Sequence, residues 1–279
     1  VNYSKREVTL LQLKRPRILN ALLCLVPLSF ALLLSPETLP YLPENSIAEL
    51  PVFAPILYTP DALPACVRLS VPSLFQLPEL PNGCEGTSLA MVLRYFGYSA
   101  DKVDIALHYV PRAPIAETFD GTSGPDPHLA YAGNPLEEER AYYCFAPPIA
   151  EAANLYLEKH GQKATAHDIT GATKCMLMNC LCAGQPVILW ATLGFRDPFL
   201  GEMQWTLPNG TLYTAYSNLH CIVLTGYDRD YFYVSDPLFG ELTLEHSALL
   251  EQYAALGCNA VVLSLSRAEP PRADAARLV

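Results

Sequence analysis

Apolar residues at helical spacing come first in the globular part of this chain and short strand-like runs come later, and no other feature limits its possible folds more. Thr87 to Tyr98 (TSLAMVLRYFGY) carries Leu89, Val92, Leu93 and Phe96 at i, i+3, i+4 and i+7, the stripe of an amphipathic helix, with Gly97 as its stop. Further helices are predicted over Ile149 to His160 and over Thr173 to Ala183, the last ending at Gly184. From Pro186 the pattern changes. Val187 to Thr192, His220 to Thr225, Tyr231 to Ser235 and Ala260 to Ser264 are short runs rich in β-branched and aromatic residues, separated by turn signals such as Gly226-Tyr-Asp228 and Asp236-Pro237. Helices followed by strands, not alternating with them, predict an α+β domain with N-terminal helices packed on a mainly antiparallel sheet. Residues 113 to 147, rich in turn signals, are expected to form one long loop shaping a cleft.

A hydrophobic content of 51% against 16% charged residues lets such a domain bury a core. The net charge of −10 leaves no general attraction for phosphates, and the dense basic run is confined to Lys14-Arg15-Pro16-Arg17, so nucleic acid is excluded as a partner. That run leads into Ile18 to Ser35 (ILNALLCLVPLSFALLLS), uncharged and mostly apolar, whose 18 residues suffice as a helix to cross a hydrocarbon core of about 30 Å. Lys5, Arg6, Lys14, Arg15 and Arg17 precede it, and the next basic residue is Arg68. The positive-inside rule then puts the N-terminus in the cytoplasm and the rest outside. No small-x-small cleavage signature follows, so a retained anchor is expected, with the domain at the cell surface, or secreted if the leader is cut.

These readings divide the chain into a basic cytoplasmic N-terminus (1–17), a transmembrane anchor or signal segment (18–35), a linker (36–70), the main domain (71–266) and a polar tail (267–279). The linker is spaced by Pro36, Pro40, Pro43, Pro51, Pro55, Pro60 and Pro64, a composition that suits a semi-rigid spacer. Nine cysteines in an exported chain invite disulfides, but the number is odd and Cys24 falls inside the apolar stretch. Cys180-Leu181-Cys182 is too tight for a zinc pattern and no second close pair accompanies it, so buried thiols are expected for most and no metal or cofactor is called for.

A thiol is a strong nucleophile only as thiolate, and a helix N-terminus lowers its pKa through unpaired backbone N–H groups. Cys84 lies just before the first helix, after a Pro81-Asn82-Gly83 turn, where its own N–H could donate into an oxyanion hole. Gln76, eight positions earlier, offers a side-chain amide as a second donor. A base should come from a strand facing the helix start. His220 opens one such strand, and Asp236 ends the next; with Gly226 to Asp230 as the turn between them, the two lie at the same end of neighbouring antiparallel strands, where a carboxylate could set the imidazole tautomer.

Gln76 to Leu93 (QLPELPNGCEGTSLAMVL), Ala146-Pro-Pro-Ile149, Gly184-Gln-Pro-Val187, His220 to Asp228 and Val234-Ser-Asp-Pro-Leu238 together resemble the C39-like cysteine peptidases, a family related to bacteriocin-processing peptidases and built on a papain-like fold. The resemblance spans residues 71 to 265. It implies a peptide or protein substrate, with Cys84 as nucleophile, His220 as base, Asp236 as the orienting carboxylate and Gln76 as the oxyanion amide. Each residue has a plainer reading as well. A cysteine is often a small buried hydrophobe, His220 could be a satisfied core histidine, and Asp236 before a proline is a common turn starter. Glu79 and Glu85 are read as solvated loop residues, and Asp228, His108, His128, His160, His167 and His246 as surface or structural. A catalytically silent surface module that keeps the cleft to bind peptide or cell-wall fragments is the alternative function.

Overall fold

The computed structural model describes residues 63–162 and 164–265. The anchor over 18–35, most of the linker and the tail over 267–279 therefore lie outside the described residues. Among the described residues no helix is long and apolar enough to cross a membrane.

In chain order the elements are β1 (Val67–Arg68), α1 (Cys84–Tyr95), α2 (Lys102–His108), β2 (Arg112–Ala113), β3 (Ala116–Thr118), β4 (Gly121–Ser123), β5 (Tyr131–Ala132), α3 (Ala146–Lys159), β6 (Ala164–Asp168) and α4 (Lys174–Cys182). There follow β7 (Val187–Thr192), β8 (Leu200–Thr206), β9 (Leu212–Tyr216), β10 (Leu219–Tyr227), β11 (Tyr231–Asp236), β12 (Gly240–Glu245), α5 (His246–Ala255) and β13 (Ala260–Leu265). The class is α+β, as expected. The main sheet has seven strands in the order β12-β11-β10-β7-β13-β6, with β1 paired to β10. Every pairing in it is antiparallel.

Both faces of this sheet are covered, which is why its central strands are continuous apolar runs. All six residues of β7 and all nine of β10 are buried. Trp190, Cys221 and Val223 pack with α1 and α3 residues such as Leu89, Val92 and Ile149. Leu189, Ile222 and Leu224 pack on the other side with Leu177 and Leu181 of α4 and Leu249 and Tyr253 of α5. Strand alternation divides the two sets.

Three expectations need correcting. The first helix begins at Cys84 itself and ends at Tyr95, so the cysteine occupies its first turn instead of preceding it. Segment 113–147 is not a bare loop: it contributes β3 and β4 to a four-stranded sheet with β8 and β9, and β5 to a parallel pair with β2. Helices and strands are also less segregated than the pattern implied, because β6 comes before α4 and α5 before β13. The helix α2 is announced by Asp101, whose carboxylate caps the Val103 and Asp104 N–H groups, but its seven residues are too few to show a periodicity.

Candidate functional site

The candidate site forms where β10 and β11 part. Their pairing ends at Val223–Ser235, and the chain then reaches Pro237, which has no N–H to continue the ladder. The Pro237 carbonyl instead accepts the Gln76 N–H at 2.9 Å. On the other side of β10, Trp190 gives its N–H to Asn259 O at 3.2 Å, so Cys221 and Trp190 face each other as a pair without mutual hydrogen bonds. The backbone groups of Cys221 are thus turned away from β7, into the gap that β11 leaves. The first turn of α1 fills that gap: Ser88 Oγ donates to Cys221 O at 3.3 Å, and the Cys221 N–H is directed to the Cys84 thiol. Cys84 is thereby seated against the residue that follows His220.

His220 and Asp236 are both buried, at 2% and 1% exposure, and His220 Nε2 lies 2.9 Å from Asp236 Oδ1. The same oxygen accepts the N–H groups of Leu238 at 2.7 Å and Phe239 at 3.2 Å, which lock the carboxylate in place, while Oδ2 has no partner among the described residues. With Nε2 committed to Asp236, Nδ1 is the imidazole nitrogen left to exchange a proton.

The turn before the helix is tightly built. A Cβ on Gly83 would stand 2.6 Å from Leu80 Cβ, so only glycine lets the chain enter α1 here. Tyr131 holds the turn from the side, its hydroxyl donating to Asn82 O at 2.7 Å, and Asn82 Nδ2 donates to Glu137 O at 2.8 Å. Segment 113–147 is thus packed on the turn that leads into Cys84. Gln76 is buried too; its Nε2 donates to Pro81 O at 2.8 Å, which leaves the second amide hydrogen uncommitted, and Oε1 has no partner among the described residues. The first N–H groups of α1 have no acceptor within the helix.

The thiol differs from the expectation of a helix-activated thiolate. Burial pushes the Cys84 thiol well above the usual cysteine range, and the neighbouring Glu85 carboxylate pushes it further. Its hydrogen bond goes to Glu85 Oε2, at 3.2 Å, and not to the imidazole. Glu85 is also a correction, since it is 1% exposed in the first turn of α1 and not a solvated loop residue. Its other oxygen accepts the Cys144 N–H at 3.0 Å, and burial raises its carboxyl from the ordinary 4.5 to about 7. Sequence reasoning missed it because a glutamate next to a turn is solvated by default. The available signal was its place inside the apolar helix stripe, one residue before Gly86, whose Cβ would touch Ala106 at 3.0 Å. Glu79 is exposed, as read, and pairs with Lys102 at 2.6 Å. Asp228 and His246 lie toward the far end of β10 from His220 and are not part of the site; Asp228 organises the β10–β11 turn by accepting the Asp230 and Tyr231 N–H groups. Cys144 and Cys221 are buried beside Cys84 and Glu85.

Residues 68–261 match the Peptidase_C39 like family, a stretch that includes Gln76, Cys84, His220 and Asp236. The chain is similar to the uncharacterized protein YvpB of Bacillus subtilis (strain 168), 32% identical over 187 residues that cover 67% of this chain and 70% of that protein. Among solved structures it is similar to a candidate C39-like peptidase from Bacillus anthracis, with 29% identity and a TM-score of 0.63 over 73% of this chain and 99% of that one.

Proposed function

The chain belongs to the Peptidase_C39 like family, and on that premise we propose that it is a cysteine peptidase cleaving a peptide or amide bond with a Cys84–His220–Asp236 triad. The observation that carries this reading is the buried His220–Asp236 pair at 2.9 Å, set one residue from the strand position that seats the Cys84 thiol. Asp236 holds Nε2 protonated, so Nδ1 takes the thiol proton. The thiolate attacks the substrate carbonyl carbon, forming a C–S bond. The Cys84 N–H and the free Gln76 amide hydrogen hold the oxyanion that results. His220 returns its proton to the departing nitrogen as the C–N bond breaks, leaving a thioester. Water then attacks the thioester, its proton passing to His220, and the acid leaves as the sulfur is reprotonated.

The uncharged stretch Ile18 to Ser35 and the basic residues before it support a membrane-tethered enzyme acting outside the cytoplasm. Incubating the protein with a peptide library and reading the cleavage products by mass spectrometry tests the activity. Cleavage by wild type that is lost in a folded Cys84→Ala variant is the expected result. Equal cleavage by both would remove Cys84 from the mechanism, and peptide binding without cleavage by either would favour the silent module.

A further inference from the structure

Glu85 is a buried carboxyl in contact with the nucleophile, and the steps above do not use it. Its two oxygens are both engaged: Oε2 accepts the Cys84 thiol at 3.2 Å, and Oε1 accepts the Cys144 N–H at 3.0 Å from the segment that leads into α3. A surface glutamate would be free to swing away from the sulfur; this one is pinned from two elements. The groups facing it come from every side. Cys84 lies on its own helix, Cys144 before α3, Tyr131 on β5, and Cys221 and His220 on β10, with Asp236 of β11 acting on Cys221.

An ionised carboxylate at this distance can only accept from sulfur. It stabilises the S–H form and opposes the thiolate, because two like charges in a buried space cannot both persist. A protonated carboxyl reverses both effects, since it carries no charge and its O–H can donate to the thiolate. We propose that Glu85 is a positioning residue that gates the nucleophile: ionised, it holds Cys84 as a resting thiol; protonated, it lets the thiol proton pass to His220 and hydrogen-bonds the thiolate left behind. The inference rests on the reading of Cys84 as nucleophile. Burial brings the carboxyl's titration to about 7, so the gate works near neutrality.

The test is site-resolved alkylation of Cys84 by iodoacetamide, followed by peptide mass spectrometry from about pH 5 to pH 9, in wild type and in Glu85→Gln. Glutamine keeps an oxygen for the Cys144 N–H and offers the sulfur an N–H donor at every pH. Wild type should give a rate profile that rises, flattens around pH 7 as Glu85 ionises, and rises again. The variant should give a single rise at lower pH, with alkylation at pH 7 faster by roughly tenfold, the effect of one pKa unit on thiolate population. A folded variant with the wild-type profile would overturn the proposal.

If Glu85→Gln does not fold, ¹³C NMR of the Glu85 carboxyl in wild type and Cys84→Ala decides the matter. The thiol's hydrogen bond favours the carboxylate, so its removal should move the Glu85 titration upward from about 7; an unchanged midpoint would refute the coupling. Neither readout depends on turnover. An absence of peptide cleavage together with an intact Cys84–Glu85 coupling would therefore sink the peptidase reading alone.

Discussion

Replacing Asp236 by Asn separates the role of the carboxylate's charge from the role of its shape. Oδ1 accepts three N–H groups, from His220, Leu238 and Phe239, at 2.9, 2.7 and 3.2 Å, and an amide oxygen can keep all three. The new NH₂ falls where Oδ2 now has no partner among the described residues, so its hydrogens are unpaired in a buried place. That costs about 1–3 kcal/mol of stability, which a domain of this size survives. The catalytic loss should be larger. A hydrogen bond to a charged partner contributes about 1.5–3 kcal/mol, so the imidazolium formed during the reaction loses a factor of about 10 to 150. Unlike a carboxylate, an amide can also turn its NH₂ toward Nε2 and so favour the opposite tautomer, and loss of the tautomer carries the total toward about 10⁴. Turnover and KM on a cleaved peptide, with urea unfolding on the same sample, give the comparison. The fall should be in kcat with KM little changed. A folded variant whose kcat stays within about threefold of wild type would refute the orienting role.

Gln76→Ala removes one oxyanion donor and should lower kcat by about 10²–10³, less than loss of Cys84 or His220, as measured by the same assay. Trp190→Phe leaves the Cys144 carbonyl without the indole N–H that reaches it at 2.8 Å and opens space in a fully buried site; urea unfolding should show a loss of about 2–4 kcal/mol. Glu85 binds its proton more tightly folded than unfolded, from the ordinary 4.5 to about 7. The folded state then loses stability as pH rises through that window, by about 3 kcal/mol, and the loss is complete above it. Urea unfolding at pH 5 and pH 8 should show this fall in wild type and lose it in Glu85→Gln; an identical fall in both would assign it to other groups.

The α+β class and the strands β7, β10, β11 and β13 were legible in the sequence because each rests on a local property, whereas β6 and β12 of the same sheet were not read. The stripe of Leu89, Val92 and Leu93 repeats within one helix, and the apolar runs of β7 and β10 are continuous because both faces of each strand are buried. Cys84, His220 and Asp236 could be singled out as candidates from their places at a turn and at strand ends, without knowledge of what surrounds them, whereas Gln76 carried no signal of its own and was named through its spacing from Cys84 and the family resemblance. What surrounds them was decided only by the fold. The break at Pro237 opens a gap beside β10, α1 fills it, and that packing buries Glu85 against the thiol and turns an expected thiolate into a resting thiol. Burial and charge coupling depend on residues about 60 to 140 positions apart, such as Cys144 and Cys221, which no local spacing brings together. The same holds for the four-stranded sheet, whose strands pair 113–147 with the hairpin of β8 and β9, because three-residue strands carry too little alternation to be read before their partners are known.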